Sequence, residues 1–125
     1  MIIVIPKLQK SLNILLRQHW AAFAKQQEVF DILLYQAYRE KYSPPFLQNF
    51  RGKRVKITYT LYFPTKTIHD YSNYGQKMLD DSLVKAGIIT DDSDRVIISE
   101  TLRIRYDKDN PRTEIFIEEV LTADE

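Results

Sequence analysis

The chain has 125 residues, 44% hydrophobic and 28% charged, with a formal net charge of +1. That length suits a single domain with a modest core, and one Trp, eight Tyr and six Phe argue against a disordered polar tail. The absence of Cys excludes disulfides, a thiolate zinc site and a cysteine nucleophile. The near-zero charge excludes a broad basic surface, so any nucleic-acid role must rest on local clusters.

The opening Ile2 to Ile5 is a β-branched run closed by Pro6. It lacks a basic n-region, so it reads as a first strand rather than a signal peptide. No apolar run is long enough to span a bilayer. Lys7 to Leu12 reads as a loop. From about Leu15 to Arg39, apolar residues recur at helical spacing: Leu16, Trp20, Phe23, then Phe30, Leu33 and Leu34. This predicts one long helix, or two with a kink near Lys25-Gln26-Gln27. Pro44-Pro45 stops it.

Val55, Ile57, Tyr59, Leu61 and Phe63 alternate with Lys56, Thr58, Thr60 and Tyr62, the period of a half-buried strand. Pro64 ends it. Residues 72 to 86 predict a second helix with Tyr74, Met78, Leu79 and Leu83 on one face and Gly87 as its stop. Val96 to Tyr106 and Thr113 to Leu121 read as strands in a hairpin-type connection through Asp107-Lys108-Asp109-Asn110-Pro111. The order is β-α-β-α-β-β. It predicts an α+β domain: a small mixed sheet of about four strands with helices packed on it.

Chemistry concentrates in a few places. Asp70 follows a strand, and Asp91 and Asp92 follow a helix. Converged, such carboxylates hold Mg²⁺ or Mn²⁺, which take oxygen ligands and activate water at phosphorus. Equally, turns favour Asp, and Asp70 or Ser72 suits a helix cap. Lys77 lies one turn into the second helix, where it either faces the same cleft and a phosphate or is a solvated helix lysine. Ser11-Leu12-Asn13 with Arg17, His19 and Trp20 either shapes a groove or marks a helix entry with a core Trp. Lys53, Arg54 and Lys56 read as basic residues on exposed strand faces, and Arg103 with Arg105, sharing one strand face, as a small basic patch that either contacts phosphates or is solvated. With three Gly and two His, the chain shows no phosphate-binding glycine loop and cannot build a three-histidine site.

Taken as an ordered set, these segments resemble the RusA family of Holliday junction resolvases across most of the chain. Ile3-Val4-Ile5-Pro6 and Ser11-Leu12-Asn13…Arg17-Gln18-His19-Trp20 are similar to the family's opening strand and Asn-containing loop. His69-Asp70-Tyr71-Ser72-Asn73 resembles its Asp-x-Asp-Asn motif. Gln76-Lys77, Asp81, Leu83 and Lys85-Ala86-Gly87 resemble the following helix, and Asp91-Asp92 with Val96 the acidic pair and next strand.

The resemblance implies a single RusA-like domain over residues 1–125 and a homodimeric, Mg²⁺- or Mn²⁺-dependent endodeoxyribonuclease. Such an enzyme is cytoplasmic, bacterial or phage-encoded, and resolves four-way DNA junctions in recombination and repair. By this resemblance Asp70 and Asp92 are metal-binding and catalytic, with Asp91 beside them, and Lys77 is the catalytic lysine. Asn13, Arg17, Lys66, Asn73, Arg103 and Arg105 would then contact DNA. Three departures bear on activity, one being that the loop before Asp70, Thr65-Lys66-Thr67-Ile68-His69, is less basic than the family's often is. Ser72 stands where the family has a second Asp, and a hydroxyl is a neutral, weaker ligand. Gly75 looks like an insertion that would rotate Lys77 around its helix. The alternative is therefore a catalytically impaired protein that still binds junctions. A domain acting on proteins, with no nucleic-acid role, is the third expectation.

Overall fold

A computed structural model describes residues 1–43, 45 and 47–121. Pro44, half of the expected helix stop, lies outside the described residues. The elements are β1 (Ile2–Ile5), α1 (Leu12–Leu15), α2 (Ala21–Tyr42), β2 (Val55–Phe63), a 3₁₀ turn (Tyr71–Asn73), α3 (Lys77–Lys85), β3 (Ile97–Tyr106) and β4 (Arg112–Glu119). The fold is mixed α+β, with the element order read from the sequence.

β2 is the organising strand. Its side chains alternate strictly, with Val55, Ile57, Tyr59, Leu61 and Phe63 buried. It pairs with β3 in parallel on one side and with β4 antiparallel on the other, and β1 closes the sheet against β4. The strand order is β1-β4-β2-β3. The expected hairpin between β3 and β4 is therefore absent, because β2 lies between them. The short 107–111 connection passes over the end of β2, where the Asp107 N–H donates to Phe63 O at 2.8 Å.

The expected long helix is divided further upstream than predicted. α1 ends at Leu15 and α2 starts at Ala21, while Lys25-Gln26-Gln27 lies inside unbroken helix. Gln26 is buried there, its Oε1 accepting from the Lys10 N–H at 2.7 Å. The break moves Trp20 out of the core: it caps α2 and is 72% exposed. α2 buries Phe30, Leu34 and Tyr38 against β1, β2, β4 and α3, and these surfaces form one core.

α3 is the crossover between the parallel strands β2 and β3. Gly87 ends it as the sequence predicts, with φ +78°. The Gly87 N–H donates to Val84 O and the Ile88 N–H to Leu83 O, both at 3.0 Å, the paired bonds of a Schellman cap. The helices α2 and α3 cover one sheet face. Ile2, Val4 and Phe116 on the other face stay partly exposed.

Candidate active site

Lys77 is the first residue of α3. Gly75 lies in the break between the 3₁₀ turn and α3, before the helix begins. The Lys77 ammonium donates to Asp92 Oδ2 at 2.8 Å and sits 3.0 Å from Asp81 Oδ1. Asp81 is one helical turn on, a spacing that brings side chains together. The two carboxylates hold Lys77 above its ordinary pKa, the Asp92 hydrogen bond contributing most. Lys77 in turn holds the Asp92 carboxyl below the usual range. Lys77 is therefore a fixed positive charge across the physiological range, suited to anion stabilisation and unsuited to proton abstraction.

Asp92 is presented by a braced turn. Asp91 Oδ1 accepts from the Ser93 N–H at 2.8 Å, and the Val96 and Ile97 N–H groups donate to Ser93 O. Hydrogen bonds from Ser93 hold Asp91 below its normal pKa. Asp91 thus builds the turn while Asp92 faces Lys77.

Behind this pair lies a second acidic group. Asp80, on the buried stripe of α3, is 7% exposed. It accepts a short hydrogen bond from the Tyr59 hydroxyl of β2. It also shares a side-chain hydrogen bond with Glu100 of β3. Burial raises both carboxyls, and Glu100 rises to about 8. Two carboxyls that share a hydrogen bond need a proton between them, and Glu100 is the one whose hold on it is raised most clearly. Asp92 acts on both through its negative charge, so Asp92, Asp80 and Glu100 belong to one electrostatic group.

A β-bulge places Glu100 there. Val55 pairs with Ile97, but Lys56 pairs with Ser99, so β3 carries one extra residue. Beyond that point Glu100, Leu102 and Ile104 stand opposite Ile57, Tyr59 and Leu61; Leu102 and Ile104 are half-buried, while Glu100 keeps an exposed edge on this outer strand. Bulges next to functional groups commonly re-aim side chains in this way. Asp80 and Glu100 were not singled out from the sequence; Asp81 entered only as part of the helix that the resemblance covers, and Tyr59 only as an apolar strand position. The available signal was phase: Glu100 is in step with Leu102 and Ile104, and Asp80 lies beside Leu79 and one turn before Leu83.

The remaining predicted residues are more dispersed. Asp70 precedes the 3₁₀ turn with extended backbone and makes no side-chain cap bond. Ser72 is exposed and Asn73 half-buried. The segment is pinned by rings: His69 stacks on Phe63 at 3.8 Å between centroids, and Tyr74 meets Phe63 edge-on at 5.2 Å. Lys66 lies 5.1 Å over the Tyr106 ring, and Arg105 donates to Ile104 O. These basic groups gather at the shared C-terminal end of β2 and β3, with Arg103 exposed on the outer sheet face. Asn13 and Arg17 are exposed in and just after α1.

The donor set fits a hard cation in part. Carboxylate oxygens are the right chemistry, yet among the described residues no three ligand-type side chains converge on one point. The Lys77 ammonium itself bridges Asp81 and Asp92. Compared with known proteins, the chain matches no family model, and no curated protein matches it significantly. The fold and site alone therefore define its class: a small α+β domain whose sheet and crossover helix carry a lysine–carboxylate cluster.

Proposed function

We propose that the chain is a RusA-like, structure-selective DNA endonuclease that acts on four-way junctions as a homodimer. The observation that carries this reading is the Lys77–Asp92 pair, formed between the start of the crossover helix and the loop before β3. A two-fold dimer suits a nearly symmetric junction, since it offers two identical sites. Asp92 and Asp70 are the residues that would hold Mg²⁺, with phosphate oxygens completing its shell, because this ion commonly uses only one or two carboxylates. When bound, the ion supplies water activation and charge neutralisation. Lys77 stabilises charge developing on the phosphate or the leaving oxygen. Asp91 orients the loop, and Asp80 with Glu100 fixes the negative field behind Asp92.

A second reading, junction binding without efficient cleavage, is favoured by one observation: exposed Ser72 supplies no carboxylate beside Asp70. One experiment separates the two. Four-way junctions are incubated in Mg²⁺ or Mn²⁺ with wild type, Asp92→Asn and Ser72→Asp. The enzyme reading expects wild-type nicking that Asp92→Asn removes; equal nicking by that variant discards the site. The impaired reading expects nicking only from Ser72→Asp.

A further inference from the structure

Lys7, Lys10 and Lys25 line a cleft of about 360 Å³ between the segment after β1 and the first half of α2. The rest of its lining is two glutamines, Gln18 and Gln26, and two small aliphatic side chains; no acidic residue and no arginine takes part. All three lysines are exposed. Lysine stems lie along the surface while their charged heads stay in water, so three ammonium groups gather around one opening. The backbone beneath them is pinned by buried polar side chains. Gln26 is 9% exposed, and its Oε1 accepts from the Lys10 N–H at 2.7 Å. The Lys7 carbonyl accepts from the buried Thr113 hydroxyl, also at 2.7 Å.

This charge is not balanced within the protein. Lys53, Lys77 and Lys85 are paired with carboxylates, and Lys41 and Lys66 lie over tyrosine rings. Among the described residues, the side chains of Lys7, Lys10 and Lys25 have no partner of either kind. The first turn of α2, which borders the cleft, also carries no acidic residue. In a chain of net charge +1, three uncompensated cations around one concavity are a marked local excess. Clefts lined by one sign of charge focus the field and concentrate counter-ions.

We infer that this cleft binds a compact oligophosphate, the class that includes the di- and triphosphate ends of nucleotides. An ammonium is a compact point charge with rotatable donors, which suits the rounded, multiply charged phosphate group. Planar carboxylates are better met by the arginine fork, which the lining lacks. The glutamine amides add neutral donors for phosphate oxygens. Convergence of three cations on one small volume favours phosphates held together over a DNA backbone, whose charges are spread one per nucleotide. Gln26 also borders the separate cleft beside Lys77 and Asp81. The lysine cleft is thus a neighbour of the candidate active site that shares none of its charged residues, and the inference is independent of the nuclease reading.

The test uses the full chain, isotopically labelled for NMR, titrated at low salt with inorganic tripolyphosphate, with citrate and with a thymidine tetranucleotide. Expected are shifts centred on the amides of Lys7, Lys10 and Lys25 and the Gln26 side chain, with tripolyphosphate the tightest of the three. Each single Lys→Gln substitution should weaken it about 2- to 5-fold. Lys7→Gln, Lys10→Gln and Lys25→Gln combined should weaken it at least about tenfold. Because the three positions are exposed, the urea midpoint of the combined variant should match wild type, which makes the loss local. Citrate binding as tightly means general anion attraction and overturns the inference. An oligonucleotide that binds as tightly or more so gives the cleft to a DNA path and overturns it too. So does the absence of binding, or tripolyphosphate binding that the combined variant retains.

Discussion

In the proposed nuclease, Lys77 is the residue on which the chemistry would turn. Its ammonium sits between Asp81 and Asp92 at 3.0 and 2.8 Å, yet its side chain is 76% exposed. Exposed ion pairs contribute little to folding, so this geometry serves a site better than a core. Replacing Lys77 with Met is therefore expected to leave the urea unfolding midpoint essentially unchanged. The same variant should slow junction nicking about 10²- to 10³-fold, the usual effect of removing one charge-stabilising donor. A large stability loss with unchanged nicking would reverse the assignment. Ser72 is the complementary case. Ser72→Asp is expected to raise single-turnover nicking at least about tenfold, which corresponds to ~1.4 kcal/mol of transition-state stabilisation. An unchanged rate would mean that this position does not limit the site.

At the scale of elements, α3 is fastened to the sheet by both apolar and polar contacts. Leu79 and Leu83 are buried in the core, and Asp80 is anchored by Tyr59. Tyr59→Phe removes the donor to a buried carboxyl and should cost about 1–3 kcal/mol in chemical denaturation. The Glu100–Asp80 couple gives a pH signature. The folded-state pKa of Glu100 is raised from 4.5 to about 8. The folded state therefore holds the proton more tightly than the unfolded chain. Its stabilising contribution is complete below pH 4.5 and is lost as pH rises through about 8. Glu100→Gln should flatten that decline when unfolding is followed from pH 4.5 to 9. A parallel decline in both proteins would show that another group carries it.

Much of this scale was legible in the sequence: the strict alternation of β2, the Gly87 stop and the elements in their order all follow from local periodicity and caps. Strand pairing was not. A strand's local pattern says which face is apolar but not which neighbour it pairs with, so β3 and β4 read as a hairpin although β2 lies between them. The α1–α2 break escaped for a similar reason. Leu16 and Trp20 continue the helical spacing but fall between the two helices and stay largely exposed. The candidate site was half legible. Lys77 and Asp92 stood out as charges near turns. Asp80 and Glu100 look like ordinary surface residues until the bulge and the Tyr59 bond bring them together.

For the whole molecule the decisive quantity is electrostatic. A net charge of +1 gives no broad attraction to DNA. Under the proposed function, junction binding would have to come from the few cations near the site and at the C-terminal end of β2 and β3. Arg17, Arg103 and Arg105, with Lys66 over Tyr106, are the candidates. Each phosphate neutralised contributes about −0.9 to the slope of log Kobs against log salt. Four such contacts in each protomer give a slope of about −3.6 per protomer, and Arg103→Ala should make it shallower by about 0.9. Fluorescence anisotropy on a labelled four-way junction between 50 and 200 mM salt measures both, this being roughly the range over which such contacts are screened. Arg103 lies on the outer sheet face, away from the buried side of β3, so its loss should leave folding intact and isolate the phosphate contribution. A slope near zero with measurable junction binding would place recognition elsewhere than on these cations. No binding even at low salt would favour a domain that acts on proteins, because a phosphate-binding surface is at its strongest under those conditions.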